Sequence, residues 1–246
     1  MKRFIGYFDY LGYKEFILNN SEEHLRRRAS HILRDIEISL SQDKLKDAGP
    51  GRAVADLSSV NINCLNISDT VIFWTPNDTI DTCVELLNVC YMFNLKQVLY
   101  NFPVRGCIIY DNFDFVTGQE YNPNGVVYSP NLMYGKGLLN AHIKSESLDW
   151  AGSVIDSSVI ERVSGEKGFP KFIDEIAIEY DVPYKGASKK EYALRLSNGE
   201  LNDTAYANWI RDINRTFEMD NKIINESVER KRKNTIDFLS VHREPK

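Results

Sequence analysis

Two periods of apolar and polar positions alternate along this chain. Residues 4–10, Phe-Ile-Gly-Tyr-Phe-Asp-Tyr, carry apolar side chains on both faces, which predicts a central strand covered from both sides. Leu25, Ala29, Ile32, Leu33 and Ile36 then recur every three or four positions and predict a helix over 21–40, with Glu22 and Glu23 at the positive end of its dipole. Its Arg26-Arg27-Arg28 run reads as a solvated face. Residues 43–58 contain Gly49-Pro50-Gly51 and little periodicity, so they read as a loop or flexible insertion. Strands over 61–66 and 70–74 form a hairpin with Asp69 at its tip. A helix over 79–100, a strand over 104–110 and a helix over 130–148 follow. Short strands are expected at 153–156, 176–180 and 192–196, and a single long helix over 208–239. The order βααββαβ fits an α+β domain with a mainly antiparallel sheet, helices packed on it, and Asp9 and Asp69 on adjacent strands.

Composition narrows the function classes. A chain of 246 residues with 43% hydrophobic residues can furnish a sizeable core. No apolar run approaches the roughly twenty residues that span a bilayer, and the N-terminal residues enter a strand pattern without a signal-peptide plan. The expectation is a cytoplasmic protein with no membrane partner. A net charge of −5 argues against nucleic acid as a partner, so any anionic substrate must be held by local charges and a metal. The four cysteines, Cys64, Cys83, Cys90 and Cys107, lie inside apolar patterns without CxxC spacing and read as buried thiols. The Arg230-Lys231-Arg232-Lys233 cluster reads as favouring the C-terminal end of the tail helix.

The candidate chemistry lies in two acidic residues at the edges of apolar strands. A carboxylate where a strand gives way to a turn needs a cation, backbone donors or a metal. Magnesium takes a few carboxylate oxygens and leaves its remaining positions to water and phosphates, so Asp9 and Asp69 from separate strands suffice for a triphosphate site. The competing reading makes Asp9 a helix cap and Asp69 a turn residue. Arg105 interrupts an apolar strand, where an unpaired guanidinium is expensive. It contacts phosphate or base, or pairs with an acidic residue across a dimer interface.

Four segments together resemble the bacterial class III nucleotidyl cyclases, and more narrowly the Pycsar-type pyrimidine cyclases, over roughly residues 1–200. They are Asp9 with its Leu11-Gly12 turn, Ser68-Asp69-Thr70-Val71, Pro103-Val104-Arg105-Gly106, and Tyr134-Gly135-Lys136-Gly137-Leu138-Leu139-Asn140-Ala141. The resemblance implies a ferredoxin-like α+β catalytic domain over 1–200 and a C-terminal helical extension over 201–246 packed on it. It implies conversion of a pyrimidine nucleoside triphosphate, UTP before CTP, to the 3′,5′-cyclic nucleotide and pyrophosphate, as an anti-phage signal read by a downstream effector.

The cofactors it implies are two Mg2+ or Mn2+ ions, held by Asp9, Asp69 and the Tyr10 carbonyl, with amides from Leu11, Gly12 and Tyr13 on phosphate. Asn140 and Lys144, one helical turn apart, are implied to orient the ribose and stabilise charge on the transferring phosphoryl group, although the family has arginine at the second position. An exposed polar helix face is the other reading of that pair. Base choice is implied to fall to Leu65 and Asn66, with Asn63 and Asn131 nearby. The purine cyclases carry a charged or amide residue where this chain has Leu65. His142 reads as a packing or surface residue. Sites shared between two chains make a homodimer the expected assembly, with Asp9 and Asp69 facing Asn140 and Lys144 of the other copy. A non-catalytic cyclase-fold binding module, a purine cyclase and a palm-type nucleotidyltransferase are the alternatives.

Overall fold

The computed structural model describes residues 1–118, 120–121, 127–128 and 131–244. Strand β1 (Lys2–Tyr10) runs into helix α1 (Tyr13–Asn19) and then α2 (Glu22–Leu40). Strands β2 (Leu45–Asp47), β3 (Ala53–Ala55), β4 (Asn63–Ile67) and β5 (Thr70–Trp74) lead to α3 (Ile80–Tyr100) and β6 (Val104–Asn112). Then come β7 (Asp114–Thr117), β8 (Glu120–Tyr121), β9 (Val127–Tyr128), β10 (Asn131–Tyr134) and α4 (Lys136–Ser147). Strand β11 (Gly152–Ile155), α5 (Ser157–Val163) and α6 (Phe169–Ile176) precede the hairpin β12 (Ala177–Tyr184) and β13 (Ala187–Leu194). Helices α7 (Asp203–Glu218) and α8 (Glu226–Leu239) end the fold.

One seven-stranded sheet in the order β12-β13-β11-β6-β1-β5-β4 organises these elements. Its neighbours are antiparallel except for the parallel pair β6 and β11. The α+β class and the mainly antiparallel sheet expected from the sequence are what the chain adopts. β1 is central because its residues are apolar on both faces. Phe8 and Tyr10 meet Phe93 of α3 on one face, while Tyr7 bonds His142 of α4 on the other. The main core therefore lies between the sheet and α3, and α4 covers the opposite face.

The chain departs from the sequence expectations at four places, each for a local reason. Residues 43–58 hold the small β2–β3 ribbon, closed where Gly49 and Gly51 take positive φ. The helix expected over 130–148 begins only at Lys136, because Gly135 at φ 137° breaks the chain and 131–134 pairs with β7; Pro130 lies outside the described residues. The short helices α5 and α6 escaped notice, although Asp156 caps the first by accepting from the Ser158 amide. The long tail helix is two helices. Asp220 and Asn221 adopt positive φ, and Asn225 caps a new helix by accepting from the Val228 amide.

Two charge runs also change role. Arg28 of the arginine run is buried and donates to Asp220 and to the Asn101 carbonyl. Arg230 and Arg232 sit mid-helix and pair with Asp149 and with Glu218 and Glu229. The C-terminal helices are thereby tied to the segment that leads into β11. Thr235 accepts from the Ala151 amide at 2.8 Å, and Phe238 packs edge-on against the fully buried Trp150. The four thiols are unpaired as expected, and burial pushes Cys83 and Cys107 up to about 12. No helix among the described residues is long and apolar enough to cross a membrane.

Gly106 of β6 is a tight point of the central pairing. A β-carbon there would come within 2.6 Å of the Tyr7 carbonyl oxygen and of the Phe8 ring. Gly106→Ala is expected to cost about 1–3 kcal/mol, read as a lower urea midpoint at constant slope. An unchanged midpoint would mean that β1 and β6 can part there freely.

Candidate functional site

The site forms where β1 ends. Tyr10 donates its amide to the Asp69 carbonyl at 2.8 Å, and Leu11 donates to the Pro103 carbonyl at 2.8 Å. These two bonds pin the start of the turn between the β4–β5 hairpin and the head of β6. Gly12, at φ 79°, reverses the chain and starts α1, with the Phe16 amide returning to its carbonyl. Backbone geometry at the hairpin is equally specific, since Ser68 takes φ 55°. In the β1–β5 register Asp9 lies opposite Thr70, so Asp69 stands one residue beyond Asp9 across the strand pair. The two carboxylates expected to share ions are thus neighbours.

Asp9 is largely buried. Arg105 lies opposite it in the β1–β6 register and donates to its Oδ2 at 2.8–2.9 Å from two nitrogens. Arg105 also pairs with the Glu146 carboxylate at the end of α4 and reaches the Glu146 carbonyl. Its acidic partners therefore belong to the same chain, not to a dimer mate. Burial still raises the Asp9 carboxyl above its ordinary range; Arg105 opposes this and Asp69 adds to it. No hydrogen bond or ion pair among the described residues engages the Asp69 side chain.

Among the described residues no group of three or more His, Cys, Asp or Glu side chains forms a ready metal cage. Two close carboxylates and a turn of backbone carbonyls and amides suit a hard cation that draws its other ligands from phosphate and water. The under-compensated charge at Asp9 and Asp69 is the observation that fits such an ion.

The α4 pair comes apart. Asn140 is exposed and donates to Asp111 at 2.9 Å. Lys144 is buried between Asp156 and Glu191, at 2.6 and 2.7 Å. Burial would lower the Lys144 ammonium, but its bonds to Asp156 and Glu191 outweigh that and hold it above the ordinary lysine range. One helical turn separates the two residues, yet they do not present a common outward face. The expected reach of Lys144 into a neighbouring site is corrected to an internal ion cluster joining α4, the head of α5 and β13.

Leu65 and Asn66 sit on β4 at the sheet edge. Asn66 spends its amide on the Thr70 carbonyl at 3.0 Å, bracing the Asp69 turn. It also lines a groove of about 310 Å³ with Tyr13, Ile32, Leu33, Cys64 and Ser68. Asn63 donates to the Trp74 carbonyl, and the side chain of Asn131 lies outside the described residues. His142 is exposed, bonds Tyr7 at 3.0 Å and meets its ring edge-on.

No family model matches this sequence, and no curated protein matches it. Solved structures do match. The guanylate cyclase domain of RhGC from Catenaria anguillulae, in complex with GTP, is similar with a TM-score of 0.50 at 9% identity, over 79% of this chain and 96% of that one. This chain has the nucleotidyl cyclase fold. A rhodopsin-guanylyl cyclase catalytic core with converted specificity, in complex with ATPalphaS, gives 0.51 at 10% identity over 78% of this chain and 94% of that one. A dimeric guanylyl cyclase domain of the RhoGC fusion protein from the aquatic fungus Blastocladiella emersonii gives 0.50 at 9% identity, over 78% and 95%. On this cyclase fold, the residues that sequence reasoning missed are Glu146, which completes the Arg105 pairing, and Lys222, which packs against the Gly12 turn. Arg105 inside an apolar strand did signal that some carboxylate must meet it. Nothing in the pattern pointed to Lys222.

A carboxylate that burial disfavours is held against stability. A carboxyl whose folded pKa is raised binds more protons folded than unfolded, so its contribution to stability falls as pH rises through that window. Asp9→Asn is therefore expected to raise the melting temperature at pH 7, by roughly 1 kcal/mol or 2–4 °C. The gain should shrink in the acid range, where Asp9 itself takes up a proton. A melting temperature lowered at every pH would mean that the Arg105 pair outweighs the burial.

Proposed function

We propose that the chain is a class III nucleotidyl cyclase that converts a nucleoside triphosphate to its 3′,5′-cyclic nucleotide and pyrophosphate. The observation that carries the reading is the juxtaposition of Asp9 and Asp69 beside the Leu11-Gly12 turn on a cyclase fold. In the reaction the ribose 3′-oxygen bonds to the α-phosphorus, the bond from that phosphorus to the bridging oxygen of the β-phosphate breaks, and the 3′-hydroxyl proton passes to phosphate or water. Magnesium or manganese, when bound, supplies the Lewis acidity that lowers the barrier to attack and neutralises the leaving pyrophosphate. Asp9, Asp69 and the Tyr10 carbonyl would hold two such ions. Amides of Gly12 and Tyr13 would meet the phosphates where α1 begins, whereas the amide expected from Leu11 is committed to the Pro103 carbonyl. Arg105 would keep the Asp9 carboxylate oriented through the cycle.

Substrate preference rests on the edge strand. Leu65 stands where purine cyclases carry a charged or amide side chain, and the Asn66 amide braces its own hairpin. That composition favours a pyrimidine, UTP before CTP, and with it a role as an anti-phage messenger synthase in the cytoplasm that signals to a cyclic-nucleotide effector.

A homodimer completes the site. Leu132 and Tyr134 on β10 and Leu139 and Ile143 on α4 are each more than half exposed, and the last two neighbour Asn140 on its helix. This apolar band suits a second copy whose Asn140 reaches Asp9 and Asp69. The burial of Lys144 favours one competing reading, a cyclase-fold module that binds nucleotide without turning it over.

Wild type and Asp69→Asn incubated with ATP, GTP, CTP or UTP and either metal are expected to differ. Wild type should yield cyclic UMP or cyclic CMP by mass spectrometry, and the variant at least 100-fold less on the scale of a lost metal ligand. A purine product would overturn the base preference, and tight nucleotide binding without product would favour the binding module. Verified heterodimers of Asp9→Ala and Asn140→Ala chains should regain part of the activity that each homodimer lacks. Their silence would sink the shared site.

A further inference from the structure

Helices α7 and α8 lie outside the βααββαβ pattern, yet their link returns to the nucleotide turn. A cavity of about 240 Å³ opens there, lined by eleven residues that include Gly12, Arg105, Lys222, Asn225 and Lys231. Three of the eleven are cationic, five are apolar, and Glu15 is the one carboxylate. Arg105 forms the partition, since its guanidinium is bonded to Asp9 on the other side.

Lys222 is the unusual member. Its Nζ is sealed from solvent and has no hydrogen-bond partner, with only the face of Phe102 beneath it at 4.3 Å. The adjacent carboxylate of Asp220 cannot serve it, being committed to Arg28 at 3.0 Å and His24 at 2.9 Å. Burial pushes the Lys222 ammonium down to about 7, with Asp220 opposing. A buried ammonium without an acceptor is costly unless an anion joins it.

The surrounding chain holds Lys222 in place. Asp220 and Asn221 sit at positive φ, and Asn20 and Asn19 donate to their carbonyls at 2.7 and 2.9 Å. The lysine stem fills the space that a Gly12 side chain would need, with Cδ 2.8 Å from the position of that β-carbon. Turn and lysine are thus built against each other.

We infer that this cavity is a phosphate subsite in which Lys222, from the link between the C-terminal helices, and Lys231 of α8 take a condensed phosphate: the terminal phosphates of the nucleotide or free pyrophosphate. That the anion is a condensed phosphate rests on the cyclase reading; that the cavity takes an anion rests on the unpartnered ammonium and the cationic wall. Lys231 contributes through charge, with its Nζ anchored on Ser227 at 2.7 Å and 3.6 Å from Asp149, whose closer partner is Arg230 at 2.5 Å. The C-terminal helices are then part of substrate recognition, and product pyrophosphate leaves past them.

Calorimetric titration of the full chain with inorganic pyrophosphate, without divalent metal, tests this. Wild type is expected to bind, Lys222→Met and Lys231→Met to bind at least about tenfold more weakly, and Lys222→Arg to stay within a few fold of wild type. Lys222→Met should melt no lower than wild type, which separates lost binding from lost folding, and Lys231→Met is the second variant should it unfold. The surface variant Lys190→Met should bind as wild type does. No pyrophosphate binding by wild type, or equal binding by Lys222→Met and Lys231→Met, overturns the subsite.

Replacing pyrophosphate with UTP, and with uridine as a phosphate-free control, separates the two sources of the anion. A subsite for the substrate tail predicts a KM for UTP raised about tenfold in Lys222→Met at nearly constant kcat, whereas an exit site for product alone predicts weaker pyrophosphate inhibition at unchanged KM. Cyclic nucleotide formation with pyrophosphate affinity indifferent to both lysines sinks the subsite and leaves the cyclase standing. Lysine-dependent pyrophosphate binding with no cyclic product does the reverse.

Discussion

The Asp9 carboxylate ties the site to the core. It lies one residue before the end of β1, a strand buried over most of its length, where Arg105 answers it from the neighbouring strand and Glu146 answers Arg105 from α4. Three elements, β1, β6 and α4, are therefore held in register by one chain of charges at the mouth of the site. The guanidinium offsets only part of the burial, and Asp69 across the hairpin adds to the imbalance. A fold that leaves negative charge under-compensated at a turn of backbone amides is suited to a cation carrying phosphate.

The second constraint is how closely the turn after β1 is framed. Its amides are pinned to Asp69 and Pro103, its glycine has left-handed geometry, and the stem of Lys222 packs on that glycine. The C-terminal helices are anchored at a distance by Trp150 with Phe238 and by Arg230 with Asp149. Precision at the turn thus depends on packing some two hundred residues away along the chain. A helical extension thereby forms one wall of the cavity behind the Gly12 turn.

The ion cluster of Lys144 with Asp156 and Glu191 has a different purpose. It joins α4 to β13 and the head of α5, and its carboxylates are held below their ordinary range by the ammonium, although burial alone would raise them. Commitment of this lysine leaves Asn140, with Lys136 and His142, as the exposed polar groups of α4.

Local patterning alone determined a good deal. A doubly apolar β1, the β4–β5 hairpin with its acidic tip, α2, α3 and the α+β class were all legible, because periodicity reports which faces of an element are buried. So were Asp9 and Asp69, since a charge at the end of an apolar run is conspicuous. Tertiary structure decided what periodicity cannot express. Positive φ at Gly135, Asp220 and Asn221 broke two expected helices, and long-range charge pairing assigned Arg105 to Asp9 and Glu146, and Lys144 to Asp156 and Glu191. Partners 96 and 41 residues apart for Arg105 leave no trace in spacing, because electrostatic and packing contacts depend on distance in space, and only the folded sheet brings those residues together.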